Sequence, residues 1–164
     1  VIALTSRGPA FRLATFRELR RDGYSFYKTA IGPERGYPDT FIPAGGSRSA
    51  RYEDGVFLTA GQHKGEMLKA LLDKTDAPWP AVIIMADDKE KNLRAVLETF
   101  EGTGTAVHAW RYSREDGAVN SFDSKEATEL WLQIRPALQQ LLTMLGRDHY
   151  DFPQFTAPEG CEEM

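Results

Sequence analysis

Five consecutive apolar residues, Ala81-Val82-Ile83-Ile84-Met85, constrain the fold of this 164-residue chain more than any other segment. The run lacks the alternation of a strand with one wet face, so it reads as a strand buried on both sides. Pro78-Trp79-Pro80 opens it and Asp87-Asp88 closes it. Behind the acidic pair, Leu93, Val96, Leu97 and Phe100 recur at i, i+3, i+4 and i+7, the apolar stripe of a helix. Gly102 and Gly104 stop that helix, and residues 105–112 form the next strand. A strand, a helix and a strand joined this closely predict a crossover between parallel neighbours. The expected fold is α/β, Rossmann-like, with a mostly parallel sheet and helices on both faces.

The remaining segments fit that plan. Val1-Ile2-Ala3-Leu4 reads as another buried strand, ending in the polar turn Thr5-Ser6-Arg7-Gly8-Pro9. Residues 11–21 predict a helix carrying Leu13, Phe16 and Leu19, stopped by Asp22-Gly23, and the aromatic and β-branched stretch 24–31 predicts a strand. Residues 32–51, rich in Gly, Pro, Ser and Arg, predict a long loop. Residues 51–59 predict a strand paired as a hairpin with Thr40-Phe41-Ile42. Met67, Leu68, Leu71 and Leu72 share one face of a helix behind Lys64-Gly65. A last helix, 125–145, carries Leu130, Trp131, Ile134, Leu138, Leu141, Leu142 and Leu145 on its inner side and is kinked by Pro136. The organisation expected is an α/β core over residues 1–146, with a small loop or hairpin insertion at 32–59, and a polar acidic tail at 147–164. A chain that opens inside a strand reads as a partial one, whose upstream segment carries structure and chemistry of its own. The compartment stays open.

Composition removes several classes of function. Lys and Arg number 20 against 24 Asp and Glu, a formal net charge of −4, which excludes a general phosphate-backbone binder and hence a nucleic-acid partner. No apolar run approaches the ~20 residues of a membrane span. The single cysteine, Cys161, allows no internal disulfide and no Cys-based zinc site, and its acidic surroundings do not make a nucleophile. His63, His108 and His149 lack metal-ligand spacing. G-x-x-x-x-G-K-[ST], G-x-S-x-G and G-x-G-x-x-G are all missing from the chain.

Ligands of parallel α/β sheets gather at the carboxyl ends of strands, and two polar clusters fall there. Thr5-Ser6-Arg7 can hold a phosphate oxygen through hydroxyl and backbone N–H groups, or Thr5 or Ser6 can cap the next helix while Arg7 is solvated. Asp87 and Asp88 repel one another unless a lysine or a cation offsets them, and Mg²⁺ is the natural hard cation for oxygen ligands. The plainer alternative makes Asp88 a helix cap. Lys64 stands at a helix start, the electrostatically worse end for a cation, with Gly65 beside it allowing close backbone approach. At an effective dielectric near 20, opposite charges 4 Å apart attract by about 4 kcal/mol, so a lysine at a crowded anionic site has a large effect. Read singly, Lys64 is equally a solvated surface lysine.

The segments "VIALTSR", "HKGEMLKALL" and "VIIMADDKEKN", in that order, resemble the second, third and fourth motifs of the haloacid-dehalogenase-like (HAD-like) hydrolase superfamily. The wording "LTSRG", "YEDGVFLTAGQHKG" and "ADDKEKN" is most similar to a poorly characterised bacterial branch of it, and the likeness spans residues 1–112. The resemblance implies that Thr5 hydrogen-bonds a transferring phosphoryl group, with Ser6, Arg7 and Gly65 in the phosphate and substrate pocket. It implies that Lys64 neutralises that group and the nucleophile, that Asp88 helps hold Mg²⁺, and that Asp87 orients the site or pairs with Lys64. The superfamily's first motif, Asp-x-Asp, supplies the aspartate nucleophile, and this chain contains no Asp-x-Asp. The strand that carries it would lie between the strand of Thr5 and the strand of Asp87-Asp88. Without it those strands expose unpaired edges, pair with each other, or recruit a strand from another molecule. The expectation is therefore the C-terminal portion of a Mg²⁺-dependent HAD-like phosphohydrolase acting on a small phosphorylated substrate, inactive as it stands. A non-catalytic HAD-like binding or interaction module is the alternative. A receiver-like signalling fold would need its acidic pair before its lysine, the reverse of the order in this chain.

Overall fold

The computed structural model describes residues 1–146 and is mixed α/β, with five strands and five α-helices among the described residues. It divides into two compact units after Arg114. The predicted tail, with His149 and Cys161, lies outside the described residues.

In the first unit, β1 (Ala3–Thr5) pairs in parallel with β3 (Val56–Leu58), Ala3 opposite Val56 and Thr5 opposite Leu58. β2 (Arg51–Glu53) pairs antiparallel with β3, giving the order β1-β3-β2. This corrects the expected hairpin, because residues 51–59 fold back on themselves at Asp54-Gly55. Both turn residues have positive φ, 48° and 76°, which matches the twist of a two-residue hairpin. The Phe41 backbone pairs here only through an isolated bridge to Ala50, while its ring stacks on Phe57 at 5.9 Å. The strand expected at 24–31 does not form either, and a 3₁₀ turn at Tyr27–Thr29 stands in its place. Local composition favours a strand, but the backbone there finds other partners. The Tyr52 hydroxyl takes both the N–H and the C=O of Ile31, at 3.0 Å each, and Thr29 Oγ1 donates to the Val1 carbonyl at 2.7 Å.

The predicted crossover is present. β4 (Val82–Asp87) and β5 (Ala106–Arg111) form a parallel pair, Val82 opposite Ala106 through Asp87 opposite Arg111, joined by α3 (Glu90–Phe100). Ile83, Met85 and Val107 pack on the α3 residues Val96 and Phe100. On the opposite face of the pair Ile84 is 73% and Trp110 56% exposed, which corrects the expectation that residues 81–85 are buried on both sides. The expected layering on both faces is therefore half realised, and the one expected sheet is two.

A single helix ties the two sheets together. α1 (Arg12–Arg21) follows β1 after a 3₁₀ turn at Pro9–Phe11, and α2 (Lys64–Thr75) links β3 to β4. Met67 and Leu71 of α2 pack with Tyr52 and Phe57 on the first sheet, while Leu72 packs with Val96 and Phe100 beside the second. Among the described residues β1 pairs only with β3 and β4 only with β5, so each keeps one backbone edge with no strand neighbour. Between those edges runs a slot of about 350 Å³, walled by Ile2 and Leu4 on one side and Val82, Ile84 and Ala86 on the other, with Leu68 and Leu72 of α2 also lining it.

The second unit contains α4 (Asp116–Asn120) and α5 (Ser124–Met144). Asp123 caps α5, its Oδ1 accepting from the N–H groups of Lys125 and Glu126 at 2.8 and 3.1 Å. The apolar stripe read from the sequence is there, but no residue of α5 is buried, and Leu130, Ile134 and Leu141 are each about half exposed. No helix among the described residues is long and apolar enough to cross a membrane.

Candidate active site

The carboxyl ends of β1 and β4 and the first turn of α2 meet at a cavity of about 620 Å³. Thr5, Ser6, Lys64, Asp87 and Asp88 all line it, although 23 residues separate Lys64 from Asp87 and 60 separate Lys64 from Leu4.

Lys64 is the centre of the arrangement and only 6% exposed. Its Nζ donates to the Leu4 carbonyl at 3.0 Å and to Asp87 Oδ2 at 2.5 Å. Leu4 belongs to β1 and Asp87 ends β4, so one ammonium group spans the mouth of the slot. An ammonium carries three protons, and these two bonds leave the third for a ligand. The second oxygen of Asp87, Oδ1, accepts from the Lys89 N–H at 2.9 Å and from Asn92 Nδ2 at 2.8 Å. Burial pushes the Asp87 carboxyl up, but the hydrogen bonds from Lys64, Asn92 and the Lys89 backbone outweigh it and hold the group below its ordinary value. Asp87 is therefore a carboxylate committed to structure. The expectation that it pairs with Lys64 is what the geometry shows.

Thr5 and Ser6 cap no helix. Gly8 opens the 3₁₀ turn without a side-chain cap, and Phe11, which precedes α1, provides none either. Thr5 Oγ1 instead accepts from the Arg7 N–H at 3.2 Å, which leaves its own proton free to be donated. The backbone of Thr5 is fixed by Thr59, fully buried, whose N–H and hydroxyl both donate to the Thr5 carbonyl at 2.9 Å. Asp88 caps no helix either, because Lys89 is the residue before α3 and Asp87 closes that turn. The Asp88 carboxylate lines the cavity with no hydrogen-bond partner among the described residues.

Two expected pocket residues are placed elsewhere. Arg7 turns its guanidinium to Thr15 Oγ1 at 3.2 Å and does not line the cavity. Gly65 is buried where α2 crosses α3, and a β-carbon there would collide with the Ala95 carbonyl and the Thr99 hydroxyl. Its lack of a side chain serves the contact between helices, a tertiary fact that the local sequence does not carry. Two further residues, His63 and Gln62, brace the elements around the site. His63 Nδ1 accepts from the Glu66 N–H at 3.3 Å and so caps the start of α2. Gln62 Oε1 accepts from the N–H groups of Ser47 and Arg48 at 2.7 and 3.0 Å, and Nε2 donates to the carbonyls of Arg48 and Thr59 at 3.0 and 2.8 Å. That amide pins the loop before β2 to the exit of β3. Lys89 and Tyr112 also line the cavity.

Among the described residues no three His, Cys, Asp or Glu side chains group to hold a metal ion. With both oxygens of Asp87 engaged, Asp88 is the carboxylate left facing the cavity. Magnesium needs near-octahedral oxygen coordination, so the described residues do not complete a Mg²⁺ site by themselves. What the lining residues do offer is the hydroxyl groups of Thr5 and Ser6 and the Lys64 ammonium, donor types that can hydrogen-bond a tetrahedral oxyanion.

The chain belongs to the family described as a protein of unknown function (DUF2608), which matches residues 1–144. That span contains both sheets and every residue lining the cavity. No curated protein and no solved structure matches the chain.

Proposed function

We propose that this DUF2608 chain is the phosphate-handling portion of a HAD-like phosphohydrolase, cleaving a small phosphate monoester through an aspartyl-phosphate. The observation that carries the reading is the meeting of Thr5, Lys64, Asp87 and Asp88 from three separate segments at one cavity on strand ends. Phosphoryl transfer asks a protein mainly to position groups and offset charge, and these residues are equipped for that. The Thr5 and Ser6 hydroxyls donate to phosphoryl oxygens. Lys64 places its remaining ammonium proton on the same group while Asp87 and Asn92 hold it in register. Asp88, the carboxylate left without a partner at the cavity among the described residues, would help hold Mg²⁺. Bound there, the ion would offset the charge of the phosphoryl group.

The nucleophile is not among the 164 residues, and the slot between β1 and β4 is where a strand bearing it fits. Such a strand gains a hydrogen-bonded ladder on both sides and covers the apolar walls, and its carboxyl end would lie beside Lys64. The same open edges favour strand exchange or self-association of the chain when that strand is missing. Because the chain has no Asp-x-Asp, a second reading stands beside the first: a binding module that uses the pocket to hold a phosphorylated ligand without turning it over.

The test is turnover of an aryl phosphate by the natural protein, with and without Mg²⁺. The hydrolase reading expects turnover only with Mg²⁺ and at least about a hundredfold loss in Asp88→Asn, the order of effect that removing a group stabilising transition-state charge produces. Full activity in that variant overturns the role of Asp88 as a metal ligand. Phosphate binding with no turnover selects the binding module.

A further inference from the structure

Tyr112 stands one residue past β5, and no motif singles it out. Its backbone N–H donates to the Asp87 carbonyl at 2.9 Å, continuing the β4–β5 ladder by one step and fixing the root of the side chain beside the acidic pair. The residue is 49% exposed and is the only aromatic one among those lining the cavity. Among the described residues its ring stacks on no other ring and lies under no cation, and its hydroxyl makes no hydrogen bond. Trp110, two residues earlier and within β5, does have a partner and stacks on His108 at 6.0 Å. Tyr112 thus fills no place in the core and joins no polar network, yet it is anchored at the rim of a pocket built for an anion.

The cavity has two characters. Thr5, Ser6 and Lys64 make an oxyanion-binding end, whereas Tyr112 supplies an aromatic surface outside the slot between β1 and β4. An aromatic face free of partners offers offset or edge-on contact to a planar ring, an attraction beyond simple area burial.

We infer that the site takes a phosphate monoester whose organic group is a planar aromatic ring, with that ring against Tyr112 and the phosphate at Thr5, Ser6 and Lys64. The inference rests on the phosphate reading above, and it makes Tyr112 a specificity residue.

Calorimetric titration of the chain with inorganic phosphate, methyl phosphate and phenyl phosphate tests it. Phenyl phosphate is expected to bind about tenfold more tightly than methyl phosphate, a difference of about 1.4 kcal/mol. Tyr112→Ala should bring phenyl phosphate down to the affinity of methyl phosphate, and Tyr112→Phe should keep the preference. Equal affinity for the two esters in the unmodified chain, or a preference that survives Tyr112→Ala, overturns the role of Tyr112 and leaves the phosphate reading standing. Failure of all three anions to bind overturns both.

Discussion

Replacing Lys64 with methionine removes the ammonium group and keeps most of the side-chain volume, so it isolates the charge. Lys64 and Asp87 are 6% and 9% exposed, and deleting one partner of a buried pair costs about 3–5 kcal/mol because the other charge is stranded. Asp87 keeps its bonds from Lys89 and Asn92, which places the expected loss at the lower end, about 3 kcal/mol. Folding stabilities run about 5–15 kcal/mol, so the variant should still fold. Its penalty should also depend on pH. The folded Asp87 carboxyl lies below its ordinary value, so its contribution is present above the unfolded value and lost as pH falls through the folded one. In acid the carboxyl is neutral and no longer needs the ammonium, so Lys64→Met should approach the unmodified chain there. Urea unfolding followed by circular dichroism, with Asp87→Asn and the double variant completing a cycle, measures the coupling. A coupling of about 2 kcal/mol or more at neutral pH is expected. No coupling, or a Lys64→Met penalty that stays constant into acid, would refute the claim that this pair joins the two sheets.

Two further perturbations test the framework around the site. Gly65→Ala should destabilise the chain by about 2–3 kcal/mol, because the new methyl group meets the α3 backbone carbonyl at Ala95 and not a movable side-chain tip; a thermal melt unchanged from the parent would contradict that. Glu53 is held at a pKa of about 2, mainly by the hydrogen bond from Arg12, with Arg51 assisting. Because this folded value lies below the unfolded one, the Glu53 contribution is complete above about pH 4.5 and is lost as pH falls toward 2. With solvent screening at this part-exposed pair it amounts to about 1–2 kcal/mol. Glu53→Gln should lose that stability at neutral pH and show a flatter acid limb in urea unfolding between those pH values.

The parts of the fold that are legible in the sequence are those in which local pattern and tertiary role coincide. Ala81-Val82-Ile83-Ile84-Met85 and the stripe through Phe100 announce β4 and α3 as elements, and the polar residues behind β1 and β4 mark the cavity, but the burial read from the run holds on one face only, since Val82 and Ile84 are exposed. Residues 24–31 have strand composition but no strand partner, and the Tyr52 hydroxyl takes the Ile31 backbone instead. The turn at Asp54-Gly55 carries a hairpin signal that outranks the pairing expected with Phe41. Gly65 finds its role only with α3 packed against it, and Tyr112 only with β5 set beside β4. The α5 stripe is present as a pattern, but amphipathicity does not say what covers it.

The central claim is that one tetrahedral oxyanion sits at the meeting of β1, α2 and β4. A crystal structure of the chain grown with tungstate, a tetrahedral oxyanion that scatters strongly, tests it most directly. The expected result is a tungsten peak in the cavity with its oxygens about 2.7–3.2 Å from Thr5 Oγ1, Ser6 Oγ and Lys64 Nζ, and with the Lys64–Asp87 contact kept. Tungstate bound only outside that cavity, or Lys64 turned away from Leu4 and Asp87, would contradict it.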